Sequence, residues 1–312
     1  IHQPCSSGVA MAGFGHVHFY SQKRSWLVNM TLPQQLLEAL VLGLVEGITE
    51  FLPISSMAHM KVVPMLLGWG DPGLAVGATI QLGSILAVIL YFRKDLLQVL
   101  HATARSIKSK DWASPQARLG QAIFAGTIPV LVIGIAIKIL IPGFDHSSLR
   151  SLHSIGVVSV VMAALLATAE RMASHRRELS DVQIRDGILV GCAQALAIIP
   201  GVSRSGSTLT ASLFDNWKRE DAARFSFLLG IPTILLVGLA ELGDASLQAG
   251  PFGIAPLLVG IVTAFASSIL VIHCFIQFLR RNSTTVFVLY RLAFGVFLIA
   301  AGQSIEASAG SP

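Results

Sequence analysis

Glu46, Glu50, Ser55, Ser56 and His59 fall within one apolar stretch, Gly43-Leu-Val-Glu46-Gly-Ile-Thr-Glu50-Phe-Leu-Pro53-Ile-Ser55-Ser56-Met57-Ala58-His59. These residue types at this spacing can hold a cation and move a proton. Glu46 and Glu50 are four apart, so on a helix they share a face, and they repel each other unless a proton or a cation sits between them. Pro53 ends that helix, and His59 falls one turn past the serines on the next. An ionisable group at membrane depth costs about 2.5–3.5 kcal/mol even on the lenient insertion scale. Such a cluster in apolar sequence therefore reads as a site. The serines also have a plainer use, since a hydroxyl in a membrane helix often bonds a preceding carbonyl.

A second stretch, Pro200-Gly201-Val-Ser203-Arg204-Ser205-Gly206-Ser207-Thr208, has the opposite chemistry. It holds no acid. A guanidinium flanked by Ser203, Ser205 and Thr208, with Gly201 letting the backbone come close, is an oxyanion or phosphate cradle at a helix start. Set against the acids, it points to phosphoryl hydrolysis. Arg204 would neutralise a phosphate, a serine would attack phosphorus, and His59 or Glu50 would move the proton, with His59 the first choice. A divalent cation (Mg2+ or Ca2+) held by Glu46 and Glu50 would offset the remaining charge. Gln81 either lines the same cavity or packs two helices. Lys138 sits near a helix end and can snorkel. Arg291 lies deeper within a span and could pair with an acid, though none can be named.

The elements that must position these groups are membrane helices. Of 312 residues, 53% are hydrophobic and only 12% charged, and mean hydropathy is +0.70. Soluble chains carry about 25% charged residues, so this chain cannot cover a water-facing surface. The net charge of +5 does not indicate nucleic acid, because the basic residues sit in short loops between apolar runs. Cys5, Cys192 and Cys274 fit no metal or disulfide pattern and read as packing residues.

Residues 1–29 read as a poorly ordered extension. Residues 30–303 read as one membrane domain, with halves at about 30–170 and 182–303, and residues 304–312 as a tail. Helices at 34–52 and 54–69 are too short to span singly and are expected to form a hairpin that dips in and returns. Spans are expected at 73–92, 119–141 (kinked at Pro129), 151–170, 225–242, 254–279 and 284–303. Part of 93–118 is expected on the membrane surface, and 187–214 as a second dipping hairpin. The fold class is thus all-α and polytopic, with six transmembrane helices and two re-entrant helical hairpins.

Loops 93–118, 171–186, 215–224 and 280–281 carry fifteen of the 22 basic residues. They should be cytoplasmic, which puts both chain ends outside and brings the hairpins in from opposite faces. A loose repeat agrees: Gly43-x-x-Glu46 leading to Pro53-x-Ser-Ser recurs as Gly191-x-x-Gln194 leading to Pro200-Gly-x-Ser203-Arg204. An inverted repeat with broken helices is a transporter-like architecture.

With these residues in hand, the sequence resembles the undecaprenyl-diphosphatase family, also called bacitracin-resistance proteins. The resemblance rests on Glu46-Gly-Ile-Thr-Glu50-Phe-Leu-Pro-Ile-Ser55-Ser56 with His59, Gln81-Leu-Gly-Ser-Ile-Leu-Ala-Val, Pro200-Gly-Val-Ser-Arg-Ser-Gly-Ser-Thr208 and Ala223-Arg-Phe-Ser-Phe-Leu-Leu-Gly-Ile-Pro232, in family order. It implies an integral enzyme of the bacterial plasma (inner) membrane that removes the terminal phosphate of undecaprenyl diphosphate. That recycles a polyprenyl lipid carrier for peptidoglycan synthesis and confers bacitracin resistance. It implies a divalent cation, a site open to the periplasmic or outer face, and Glu46, Glu50, Ser56, His59 and Arg204 as the reactive set, with Ser56 the nucleophile. A homodimer is compatible with it; nucleic acid is not a partner. Met57 stands where the family usually has Ser or Thr, and Ala58 where it usually has Gly, which tightens the turn at Ser56.

Two other classes compete. A lipid-phosphate transporter or flippase fits the inverted hairpins. A metal-independent acid-phosphatase-type lipid phosphatase fits Pro53-Ile-Ser-Ser-Met-Ala-His59 superficially, but no second His follows Ser203-Arg204 at the required distance.

Overall fold

Apolar runs long enough to cross a membrane alternate with shorter ones broken by Pro, Gly and Ser, and the helices follow that division. The computed structural model describes residues 31–69, 73–141, 143–144, 147–245 and 252–310. The expected extension over 1–29 lies outside them. Among the described residues there are eleven α-helices: α1 Leu32–Thr49, α2 Ser56–Leu66, α3 Leu74–Tyr91, α4 Arg93–Ser109, α5 Pro115–Leu140, α6 Leu152–Met172, α7 Ile184–Ala195, α8 Arg204–Phe214, α9 Arg219–Ala245, α10 Ile254–Leu279 and α11 Thr285–Gly310. No strand forms among them; one isolated bridge pairs Arg177 with Trp217.

Among the described residues, five helices are long and apolar enough to cross a membrane: α5, α6, α9, α10 and α11. A sixth span results if α3 and α4, which meet at 69°, count as one. That bend follows the expected step from a span to a surface segment. The outer faces are apolar, as lipid contact requires: Phe124 is 73% and Leu140 76% exposed. The chain is a multi-pass membrane protein.

Several boundaries differ from the sequence reading, for local reasons. α5 begins at Pro115, because Ser114 accepts a hydrogen bond from the Ala117 amide and proline suits the first helical turn. It continues through Pro129. α11 runs on to Gly310, so most of the expected tail is helical. Cys192 and Cys274 are exposed rather than packed inside.

α1 lies against α10, and α7 against α5. Each arm thus packs on a helix from the other half of the chain, and both contacts are made by small residues four apart. A Cβ at Gly43 would strike the Gly260 carbonyl, and one at Gly47 the Ala264 carbonyl at 2.6 Å. A Cβ at Gly187 or Gly191 would strike Ala122 or Gly126. This reciprocal packing brings the α1–α2 break and the α7–α8 break together. Phe51, fully buried in the first break, packs edge-on against Phe227 of α9 at 5.3 Å.

Candidate active site

Two breaks of the same form meet here. α1 stops at Thr49, ahead of Pro53, and α2 starts at Ser56 after Ser55, whose φ is +75°. α7 gives way to a 3-10 turn, Leu196–Ile198, and α8 starts at Arg204 after Ser203, whose φ is +70°. A positive φ in a serine costs of order 1–3 kcal/mol and persists only when surrounding contacts enforce it. Ser203 offsets part of that cost by accepting from the Gly206 amide at 3.1 Å. Gly201, at φ +94°, packs against the Ile155 backbone, where a Cβ would lie 2.8 Å from the carbonyl oxygen. Each break delivers its first helical residue, Ser56 or Arg204, to one cavity.

That cavity has a volume of about 150 Å³. Glu50, Ser55, Ser56, Gln81, Gly201, Ser203 and Arg204 line one part of it, and Met57, Ala197, Ile199, Ile234 and Val237 the rest. Glu50 joins the two breaks. Its Oε2 accepts from the Ser56 hydroxyl at 2.6 Å. Its Oε1 accepts from Arg204 Nη2 at 3.1 Å. The Nε and Nη1 groups of Arg204 are buried and make no hydrogen bond. A buried guanidinium with unused donors is strongly directed toward an anion. Gly230 makes room for it, since any Cβ there would overlap Nη1.

Other expected site residues stand behind the wall. His59 was the first choice for the Ser56 proton, but its ring is engaged elsewhere: Nδ1 lies 2.8 Å from the Ser55 carbonyl and Nε2 2.6 Å from the Tyr290 hydroxyl. A carbonyl only accepts, so Nδ1 carries the proton and, in the neutral ring, Nε2 accepts from Tyr290. The ring also stacks on Phe294 at 4.3 Å. Thr208, expected on the phosphate, is fully buried and bonds the Arg204 carbonyl at 2.8 Å and Ser226 at 2.5 Å. Ser205 donates to the Leu52 carbonyl at 2.9 Å, tying the second break to the first. Glu46 is buried one turn behind Glu50 and does not line the cavity.

The role of two residues escaped the sequence reading. Gly230 carries no local signal, because its role appears only once Arg204 lies across it. Arg291 was noticed as a deep charge, but its partners are carbonyls, not an acid: it donates to Pro53, Val202 and Gly201.

Among the described residues, no group of three or more His, Cys, Asp or Glu is placed to hold a metal ion. Glu50 brings one carboxylate to the cavity wall, and Glu46 lies one turn behind it.

Fold and site together define a polytopic helical membrane protein with a cavity lined by a carboxylate, serines and a guanidinium. The family described as bacitracin resistance protein BacA matches residues 39–297, and the chain belongs to it. A relative from Synechococcus sp. (strain RCC307), named undecaprenyl-diphosphatase, is 60% identical over 272 residues, covering 87% of this chain and 95% of its own. One from Prochlorococcus marinus (strain MIT 9303), of the same name, is 61% identical over 261 residues, covering 84% and 89%.

Proposed function

We propose that this chain hydrolyses undecaprenyl diphosphate to undecaprenyl phosphate and inorganic phosphate. It works in a bacterial plasma membrane, with the cavity open to the outer face, recycling the lipid carrier and conferring bacitracin resistance. The fold is six spans, α3 being the sixth, with α1–α2 and α7–α8 as re-entrant hairpins entering from opposite faces.

The observation that carries this reading is the single Glu50 carboxylate shared by Ser56 and Arg204. Glu50, not His59, takes the Ser56 proton, because it already accepts that hydrogen bond. Oγ of Ser56 attacks the terminal phosphorus, and the bond from phosphorus to the bridging oxygen breaks, releasing undecaprenyl phosphate. Arg204 leaves its bond to Glu50 for the phosphoryl oxygens, with donors unused in the resting site available to them. Water then attacks the phosphoserine, the bond to Oγ breaks, and Glu50 returns its proton to Ser56. Inorganic phosphate leaves with both protons of the water. Met57, Ile199, Ile234 and Val237 border the prenyl chain. A divalent cation at Glu50 and Glu46 supplies charge neutralisation when bound.

Purified protein in detergent should release phosphate from undecaprenyl diphosphate, and Ser56→Ala and Arg204→Ala should each abolish most of it. Lipid translocation by the wild type with no phosphate released would replace the hydrolase reading with the transporter one.

A further inference from the structure

We propose that Arg291 is a positioning residue that sets the separation of the two breaks, and thereby aligns the Ser56 hydroxyl with the phosphate held by Arg204. The inference rests on the phosphatase reading and adds to it a group that never touches substrate.

Arg291 lies on α11, is 1% exposed, and is absent from the cavity wall. Its Nη1 donates to the Pro53 carbonyl and to the Val202 carbonyl, each at 3.1 Å. Its Nη2 donates to the Gly201 carbonyl at 2.7 Å. Pro53 is three residues before Ser56; Gly201 and Val202 are three and two before Arg204. One rigid fork therefore grips both turns immediately upstream of the two reacting side chains. Carbonyls in a broken helix have lost their helical donors and must find others at membrane depth. Water would satisfy them without fixing a distance, whereas a planar guanidinium fixes one.

Gly206 supports the same arrangement from α8. A Cβ there would lie 2.8 Å from Arg291 Nη1, so the fork fits only above a glycine. The bond from Ser205 to the Leu52 carbonyl ties the breaks a second time, which lets the fold survive weakening of the first tie. A lysine at 291 keeps the charge but concentrates its donors at one point, so it cannot lie flat between the two turns.

The test compares Arg291→Lys with wild type in detergent, reading thermal unfolding, elution profile, and kcat and KM for phosphate release from undecaprenyl diphosphate. The expected result is a folded protein with KM within about threefold and kcat lower by about 100-fold, the effect of misplacing a reacting group by about 1 Å. A Gly206→Ala variant, which pushes on Nη1 while leaving the arginine in place, should lower kcat by about 10-fold with KM again held. A folded Arg291→Lys with wild-type kcat overturns the proposal. If Arg291→Lys does not fold, wild-type kcat in Gly206→Ala overturns it. A wild type that releases no phosphate is a different result: it removes the phosphatase reading itself.

Discussion

α2 and α8 each run eleven residues, and each follows a serine with positive φ, yet the first helical residue is Ser56 in one and Arg204 in the other. The backbone frame is repeated and the chemistry is divided. A helix start offers free amides and a positive field, so both frames favour an anion between them. Their side chains then supply different parts: a hydroxyl with its carboxylate from the first hairpin, a guanidinium from the second. One geometry used twice can thus serve nucleophile and clamp, provided the two copies are held in register.

Their anchoring differs more than their backbones do. The feet of the second hairpin are pinned together: Arg177 donates to Asp186 in the first turn of α7 at 2.6 Å and to Asp215 at the end of α8, with its guanidinium over the buried Trp217 ring at 5.2 Å. In the first hairpin, Lys61 of α2 donates to the Arg150 carbonyl at 2.6 Å and to Glu306 at 2.8 Å, and both partners of that ion pair are partly exposed. The guanidinium half of the site is therefore fixed from its own base, and the hydroxyl half by neighbouring elements.

Four measurements would break or sharpen this comparison. The largest effect belongs to the chemistry: Ser56→Ala should lower kcat about 10⁴-fold or more, and Arg204→Ala about 10²–10³-fold. Equal losses would mean that the hairpins do not divide the roles. Next comes the anchoring. Arg177→Met takes from Asp186, 1% exposed at its side chain, its shorter ion pair and leaves it only the exposed Arg185 at 3.4 Å, which should cost toward the lower end of about 3–5 kcal/mol. Lys61→Met should cost at most about 1 kcal/mol. Thermal unfolding in detergent measures both, and a larger loss in Lys61→Met would reverse the contrast.

The reciprocal packing predicts symmetry instead. Gly47→Ala and Gly191→Ala should each destabilise by about 1–3 kcal/mol, because each adds a Cβ into a helix crossing with no space for it. A pair of values that differ widely would show that one crossing is slack. The smallest effect concerns His59. His59→Gln should lower kcat about 10-fold, through a loosened turn at Ser55, and should leave the shape of the pH–rate profile unchanged. Loss of a limb in that variant, with the limb kept in Glu50→Gln, would return the proton to His59.

Much of this was legible in the residues. Apolar length separated α10, expected and found at 254–279, from the short broken segments. Proline, glycine and serine occurring together marked both breaks to within a few positions, although a lone proline did not break α5 at Pro129. Intramembrane charge singled out Glu46, Glu50, His59 and Arg204 as groups worth joining, since burying such groups apart would be costly, and the choice of Ser56 over Ser55 came from the family resemblance.

Sequence spacing fixes a side chain's position along and around its own helix, and nothing more. The positive φ at Ser55 aims α2 so that His59 reaches Tyr290 of α11, while Ser56 turns back to Glu50 across the break. The breaks also leave carbonyls without helical donors, and which side chain answers them depends on what packs alongside. That made Arg291 a clasp for two loops rather than the partner of an acid, and it turned Thr208 inward to Ser226. Local sequence thus determined where the helices break and which groups lie near the breaks. Tertiary packing decided which of those groups meet, because rotation about a non-helical turn is set by the neighbours that satisfy it.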